Sequence, residues 1–383
     1  MHELATLLDF RELTASYRAA DVLGELPFTN DFYINPRDTI TDEVELVYFP
    51  GSTTPAPLNV RGGPSRKLQN LGGTKRYATL FYAFNSIRLD SLALRALREP
   101  ESYTLQEKGR QIVENQVENF RNRHAYMKEA VIASIMTKGR VNIDADGNVL
   151  TPTVDSLTGA ITDATNTVIS ADFTVPNSNR GNLNDSTDGG AIIDSLWSNS
   201  ATMISRHLDK IRYRSSKFGR PMPTEVYVHG VPGRKFLRDN AEFKEWAKYT
   251  NQRSVEEVLR GGVIMDLWGW NWHFIDGTYQ DSGGTYRDLL PQTSAIVCPK
   301  PGPWLRAYRG ATDVPRDLNI VGDHMSVLNA YEVVYGQAAW AKLVDDPVAL
   351  ALYMADSFGL SFADPNAIYM PTVFDAQGAS GTG

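Results

Sequence analysis

Apolar positions recur at helical spacing near the start of the chain. Leu4, Leu7, Leu8, Leu13, Tyr17, Val22 and Leu23 predict a short amphipathic helix over 3–23. A longer stripe, Leu105, Ile112, Val113, Val117, Phe120, Met127, Val131, Ile135 and Met136, predicts a helix over 101–138. At 1.5 Å per residue it would span about 50 Å. Gly139 stands where a terminating glycine belongs. Elsewhere the pattern alternates. Val44, Leu46 and Tyr48 predict a strand over 43–49, closed by Pro50-Gly51, and the alternation resumes over 77–84. Residues 141–149 alternate around Asp146-Gly147, a pair suited to a hairpin turn. The second half predicts helices over 194–213, 232–249 and 254–259, with strands over 225–229, 263–267, 272–275 and 294–298. This mixture implies an α+β fold. The polar stretch 172–190 reads as a domain boundary, and 377–383 as a Gly/Ser-rich tail.

Two segments fit no ordinary core. Residues 21–45 hold the acids Asp21, Glu25, Asp31, Asp38, Asp42, Glu43 and Glu45 against Arg37 alone, and read as an extended arm. Residues 51–73 carry Pro55, Pro57, Pro64 and five glycines, a long loop between two strands. Its returning side holds Arg61, Arg66, Lys67, Lys75 and Arg76 and no acid over 61–76. A two-stranded ribbon of this length is marginal alone in water, so it needs another surface, with a neighbouring subunit the expected one.

Composition narrows the function. The 383 residues allow two or three compact units. With 38 basic and 45 acidic side chains the net charge is −7, which argues against nucleic acid as the primary ligand. Cys298, the single cysteine, excludes an intrachain disulfide and a cysteine metal cluster. No window reaches the ~20 apolar residues of a membrane span, and the charged start does not read as a secretory signal, so the default compartment is cytoplasmic and no membrane contact is expected.

Candidate chemistry is sparse. Asn142, Asp144, Asp146 and Gly147 match the first half of a calcium loop, but Thr153 stands where the bidentate carboxylate is needed, so a hairpin turn is expected. The six histidines lack the i, i+4 pairing of a zinc site, and Cys298 has no base beside it. No phosphate loop, nucleotide fingerprint or nucleophile elbow occurs. No catalytic, cofactor or metal site is expected. Arg206, Lys210, Arg212, Arg214 and Lys217, with Arg220 beyond, oppose Asp209 alone at the end of a predicted helix. They either offset the helix dipole or form a DNA-facing phosphate patch.

The order of acidic arm, basic glycine-rich ribbon, long helix, hairpin-rich insert and α+β domain resembles the major capsid proteins of tailed bacteriophages, nearest the phage lambda capsid protein E family. The most specific pieces are TDEVELVYFPGSTTPAPLNVRGGPSRK at 41–67, WNWHFIDGTYQDSGGTYRDLLPQTSAIVCP at 270–299 and EVVYGQAAWAKLVDDPVALALYMADSF at 332–358. The resemblance implies the Hong Kong 97-type capsid fold. Its parts would be an N-terminal arm (1–45), an extended loop (46–88), a peripheral domain with a spine helix (89–189), an axial domain (190–338), a return to the peripheral domain (339–376) and a flexible tail (377–383).

Under this resemblance the chain is a structural protein with no catalytic role. It forms hexamers and pentamers that close an icosahedral shell around double-stranded DNA, in the host cytoplasm during assembly and in the virion afterwards. The basic ribbon (Arg61, Arg66, Lys67, Lys75, Arg76) is expected to lie across a neighbour and meet its acidic arm (Asp38, Asp42, Glu43, Glu45). With no long charged helical N-terminal extension, a separate scaffold protein is implied, along with portal and decoration proteins. An encapsulin-like compartment shell is the alternative within the fold. An α+β enzyme with a site near His229, His273 and Asp276 is the alternative of another class.

Overall fold

The computed structural model describes residues 9–20, 22, 24–41, 43–48, 74–89, 103–185, 190–250, 259, 263–315, 331–345 and 348–375. The chain divides into two units. One draws on Met1–Val44, Tyr77–Glu129 and Ala307–Leu360, the other on Glu45–Arg76, Ala130–Arg306 and Ser361–Gly383. The stretch 172–190 lies inside the second unit, where Leu183 joins the main apolar core.

The first unit is built on a six-stranded sheet. Its long strand Val348–Phe362 pairs antiparallel with both Gln337–Asp345 and Phe81–Leu89. Leu305–Pro315 also joins it and carries Arg37–Thr39 in parallel and Tyr331–Tyr335 antiparallel. Alternation along the strands sorts the side chains into two clusters. Ala339, Ala341, Leu352 and Met354 pack with Leu13, Tyr17, Val113, Val117 and Phe120. Ala338, Trp340, Ala355 and Val314 pack with Phe10. Each large side chain so buried stabilises the unit by about 1.5–3 kcal/mol before conformational entropy is charged. Gly310 is required where two strands meet, because a Cβ there would lie 2.0 Å from Ser357 Oγ.

Helix α1, Phe10–Ala19, starts where Asp9 accepts from the Arg11 amide at 2.8 Å, a side-chain N-cap. The expectation of an extended arm over 21–45 is corrected by α2, Pro27–Phe32. Proline at the first position is pre-set for a helix, and Phe28 and Phe32, one turn apart, are buried and stacked at 6.0 Å. Helix α3, Tyr103–Lys138, is the long element the apolar stripe predicts. Gly139 ends it at φ +68, its amide donating to Ile135 O at 2.8 Å.

The second unit holds a four-stranded sheet in the order Val263–Leu267, Trp270–Ile275, Glu225–His229, Ala295–Cys298. The middle pair is parallel, Val226 lying opposite Trp272. Trp197, Trp270, Trp272, Phe243, Leu208 and Ile211 lead its core. The helix expected over 194–213 instead spans Ile204–Lys217 (α4). Its expected first turns are diverted, since the Trp197 amide donates to Val373 O at 2.7 Å and Asn199 Oδ1 accepts from the Ala201 amide. The helix expected over 232–249 is two, α5 (Gly230–Asp239) and α6 (Ala241–Thr250). Asn240 divides them with ψ 130, its Oδ1 accepting from the Phe243 amide and its Nδ2 donating to Thr202 O. Of the helix expected over 254–259, only Leu259 is among the described residues.

The hairpin after α3 pairs Arg140–Ile143 with Val149–Leu150 and Ile169–Asp172. Asp144 Oδ1 accepts from the amides of Asp146 and Asn148 at 2.9 and 2.8 Å, so this carboxylate organises the turn.

Candidate functional site

The basic run lies along α4 and is divided by its own geometry. Ile204, Leu208 and Ile211 face the core, so residues four and seven apart on the opposite side, Arg206, Lys210 and Lys217, share the outer face. Arg206 and Lys217 are exposed there, and Tyr213 stands 67% exposed between them. Lys210 Nζ is 3.1 Å from Asp194 Oδ2. The other two arginines turn inward. Arg212 donates to Gly269 O at 2.9 Å with its guanidinium 4.3 Å from the centre of the Trp270 ring. Arg214 is buried and donates to Ser178 O at 3.0 Å. The five residues named from sequence therefore form no continuous patch. Two serve the fold, one is tied to Asp194, and Arg206 and Lys217 face solvent.

Asp194 also accepts from His207 Nε2 at 2.7 Å, while Trp197 Nε1 donates to His207 Nδ1 at 3.2 Å. The imidazole is thus the neutral tautomer with its proton on Nε2, in keeping with burial, which lowers its pKa. The hydrogen bonds from His207 and Lys210 draw Asp194 down to about 2.

The acidic arm is partly engaged within its own chain. Asp38 Oδ1 accepts from Arg309 Nε at 2.8 Å, beside the parallel pairing of Asp38 with Arg309. Glu43 and Glu45 are exposed on Glu43–Tyr48, a strand that pairs with Thr74–Thr79, the strand carrying Lys75 and Arg76. Opposite charges thus occupy adjacent strands of one ribbon. Arg61, Arg66, Lys67 and Asp42 lie outside the described residues.

The residues of the enzyme alternative are held by local partners. His273 Nε2 lies 2.8 Å from Glu225 Oε2. Although burial opposes it, bonds from His273, Asn271 and Thr224 hold the Glu225 carboxyl below its ordinary range. Asp276 pairs with Arg234 at 2.7 Å and lies against Gly230, where a Cβ would come within 1.9 Å of its Oδ1. His229 Nδ1 accepts from the Val231 amide at 3.3 Å and caps α5. Cys298 is buried on its strand. Among the described residues no three His, Cys, Asp or Glu side chains are grouped to hold a metal, and no helix is long and apolar enough to cross a membrane.

Sequence reading missed the polar anchors of the arm. Glu129, fully buried on α3, accepts from the amides of Phe28 and Thr29, each at 2.7 Å. Lys128 Nζ lies 3.7 Å from the centre of the Tyr33 ring and 4.0 Å from Asp356 Oδ2. The signal was available, since Lys128 and Glu129 interrupt the apolar run between Met127 and Val131.

No family model and no curated protein matches the sequence. Solved structures do match. A protein described as a prophage capsid protein of E. coli CFT073 superimposes with a TM-score of 0.53 at 14% identity, over 96% of this chain and 99% of that one. A phage-related protein of Bordetella bronchiseptica RB50 gives 0.50 at 9% identity, over 95% and 97%. This chain therefore has the phage capsid fold, the Hong Kong 97-type α+β fold that its sequence resembles.

Proposed function

We propose that this chain is the major capsid protein of a tailed phage, a structural subunit that acts by assembling rather than by catalysis. The observation that carries the reading is coverage. The match to a protein described as a prophage capsid protein extends over 96% of this chain and 99% of that one, so the likeness takes in the fold of both from end to end. In this reading copies form hexamers and pentamers that close an icosahedral shell around double-stranded DNA. Rings arise when one surface meets a different surface on the next copy at an angle that closes. The ribbon of each copy lies across its neighbour, where Arg61, Arg66, Lys67, Lys75 and Arg76 meet acids of the arm. Exposed ion pairs contribute only ~0–1 kcal/mol each, so their number and the apolar contacts beneath them hold the shell.

The chain works with a separate scaffold protein, a portal and decoration proteins, assembles in the host cytoplasm and resides in the virion. Non-specific contact with packaged DNA falls to the outer face of α4, at Arg206, Lys210 and Lys217.

Negative-stain microscopy and size exclusion of the purified chain, alone and with its scaffold, test the reading. Closed particles of uniform size are expected. A small soluble oligomer under both conditions would reject it. Arg66→Glu, Lys67→Glu and Lys75→Glu together should leave the chain folded and stop closure, and normal shells from this variant would remove the ribbon pairing.

A further inference from the structure

The two edges of the first unit's sheet are treated differently. Along Gln337–Asp345 the edge is covered, since the Thr14 hydroxyl takes both main-chain groups of Ala339 and Arg18 takes the carbonyls of Gln337 and Tyr335. On the far side Phe81–Leu89 pairs with Val348–Phe362, and among the described strands it has no second partner. The direction of its main chain follows from Thr14. Ala339 turns away from Met354, the residue opposite, so these two exchange no bonds, and Met354 turns its own groups to Asn85. Alternation then fixes the rest. Ala83, Asn85 and Ile87 bond the neighbouring strand, whereas Tyr82, Phe84, Ser86 and Arg88 aim amide and carbonyl at the open edge. The side chains of these four stand on the face opposite Ile87 and Leu89 and are exposed, Tyr82 by 54% and Phe84 by 47%. Nothing in the strand blunts such an edge. Its nine residues, FYAFNSIRL, contain no proline or lysine, and the register runs from Phe81 to Leu89 without a bulge.

We propose that this edge receives the same strand of a second copy, the two running antiparallel about a two-fold axis at Asn85. The sequence complements itself in that register. Tyr82 of each copy meets Arg88 of the other and Phe84 meets Ser86, so every outward residue exchanges main-chain bonds, two to a pair. A slip of two residues either way leaves outward groups unpaired. The side chains agree with the main chain. Arg88, the one charge of the strand, faces a tyrosine ring rather than a like charge, a cation–aromatic contact that is favourable. The exposed rings of Tyr82 and Phe84, stacked at 5.9 Å, lose water in the same contact, with the two Phe84 rings on its diagonal. Strands of the acidic arm are engaged elsewhere, Arg37–Thr39 with Leu305–Pro315 and Glu43–Tyr48 with Thr74–Thr79. The proposal does not rest on the capsid reading, because a small dimer and a shell can both use this edge.

Hydrogen exchange of the full-length protein, read residue by residue at two concentrations, tests it. Where velocity sedimentation shows association, the amides of Tyr82, Phe84, Ser86 and Arg88 should exchange at least tenfold more slowly than in dilute, monomeric chain. Those of Ala83, Asn85 and Ile87 should exchange equally in both. Ser86→Pro removes one outward amide without touching the bonds to Val348–Phe362, and should weaken association at least tenfold. Phe84→Lys keeps every amide and should weaken it as much, by setting an ammonium on the diagonal from Arg88 of the second copy. Glu118→Gln, an exposed change on α3, should leave association within twofold. Association with the four outward amides as fast as in the monomer would overturn the proposal. So would outward amides already protected in the monomer, since the chain would then cover this edge itself. A chain that stays monomeric throughout, or variants that associate as tightly as the parent, would overturn it as well.

Discussion

The hydroxyl of Thr14 serves both main-chain groups of Ala339, donating to its carbonyl at 3.1 Å and accepting from its amide at 3.0 Å. Ala339 lies on Gln337–Asp345, the outermost strand of the sheet order, whose outward groups would otherwise be open to pairing. Arg18 extends the cover, donating to Gln337 O and Tyr335 O at 3.0 and 2.9 Å. One side of α1 therefore takes the place of a strand.

Thr14→Val keeps the shape and removes both bonds. It should cost about 1–3 kcal/mol, the usual penalty for leaving buried polar groups unpaired. Thermal unfolding and exchange at the Ala339 amide would read the loss. An unchanged melt with full protection at Ala339 would show that the strand edge does not need Thr14.

The two kinds of arginine on α4 should separate by measurement. Arg214→Met removes a buried donor to Ser178 O and should lower stability by about 2–3 kcal/mol. Arg206→Gln and Lys217→Gln, both on the outer face, should leave stability within ~0.5 kcal/mol. If that face meets DNA, each should lower the slope of log affinity against log salt by about 1, equally for all sequences. Binding of duplex DNA unaffected by the pair of outer changes would take the DNA surface away from α4.

The same helix shows what the sequence could convey. Its amphipathic spacing made its existence legible, and Gly139 marked the end of α3, because both depend on local pattern. The true start of α4 was hidden, since the Trp197 amide pairs with Val373, far along the chain. The break at Asn240 was readable in principle, as asparagine is a strong cap residue, but the apolar spacing on either side masked it. A run of basic letters could not reveal that Arg212 and Arg214 point inward, because their partners Gly269 and Ser178 come from other elements. The role of Glu129 depends likewise on α2, about 100 residues upstream.

Asp194 should leave a mark on acid unfolding. Its carboxyl is drawn from an ordinary 3.8 to about 2 by hydrogen bonds from His207 and Lys210. The folded state then binds a proton less readily than the unfolded chain. Its stabilising share is complete above pH ~4 and is lost as pH falls toward 2. Its side chain is half exposed, so screening keeps the share small. Asp194→Asn should flatten the stability profile between pH 4 and 2 relative to the unaltered chain. Parallel profiles would mean that the carboxylate is not held as its contacts imply.

Lys138 gives the opposite limb. It is 8% exposed at the last turn of α3, and burial, aided by the positive charge of Arg180, lowers its pKa from 10.5 to about 8. At neutral pH the folded state carries a buried ammonium that the unfolded chain solvates freely. Folding therefore gains as pH rises from about 8 to 10.5, where the unfolded chain still holds the proton and the folded one has released it. Lys138→Met removes the charge while keeping the apolar length. It should stabilise the protein by about 1–3 kcal/mol at pH 7, with the advantage shrinking toward pH 10.5. The comparison must be the difference between the two proteins, because burial raises the pKa of Tyr17 and Tyr33 and works against folding at high pH in both. A variant less stable than the parent at pH 7, or an advantage constant from pH 7 to 10.5, would show that the Lys138 ammonium is solvated in the folded state.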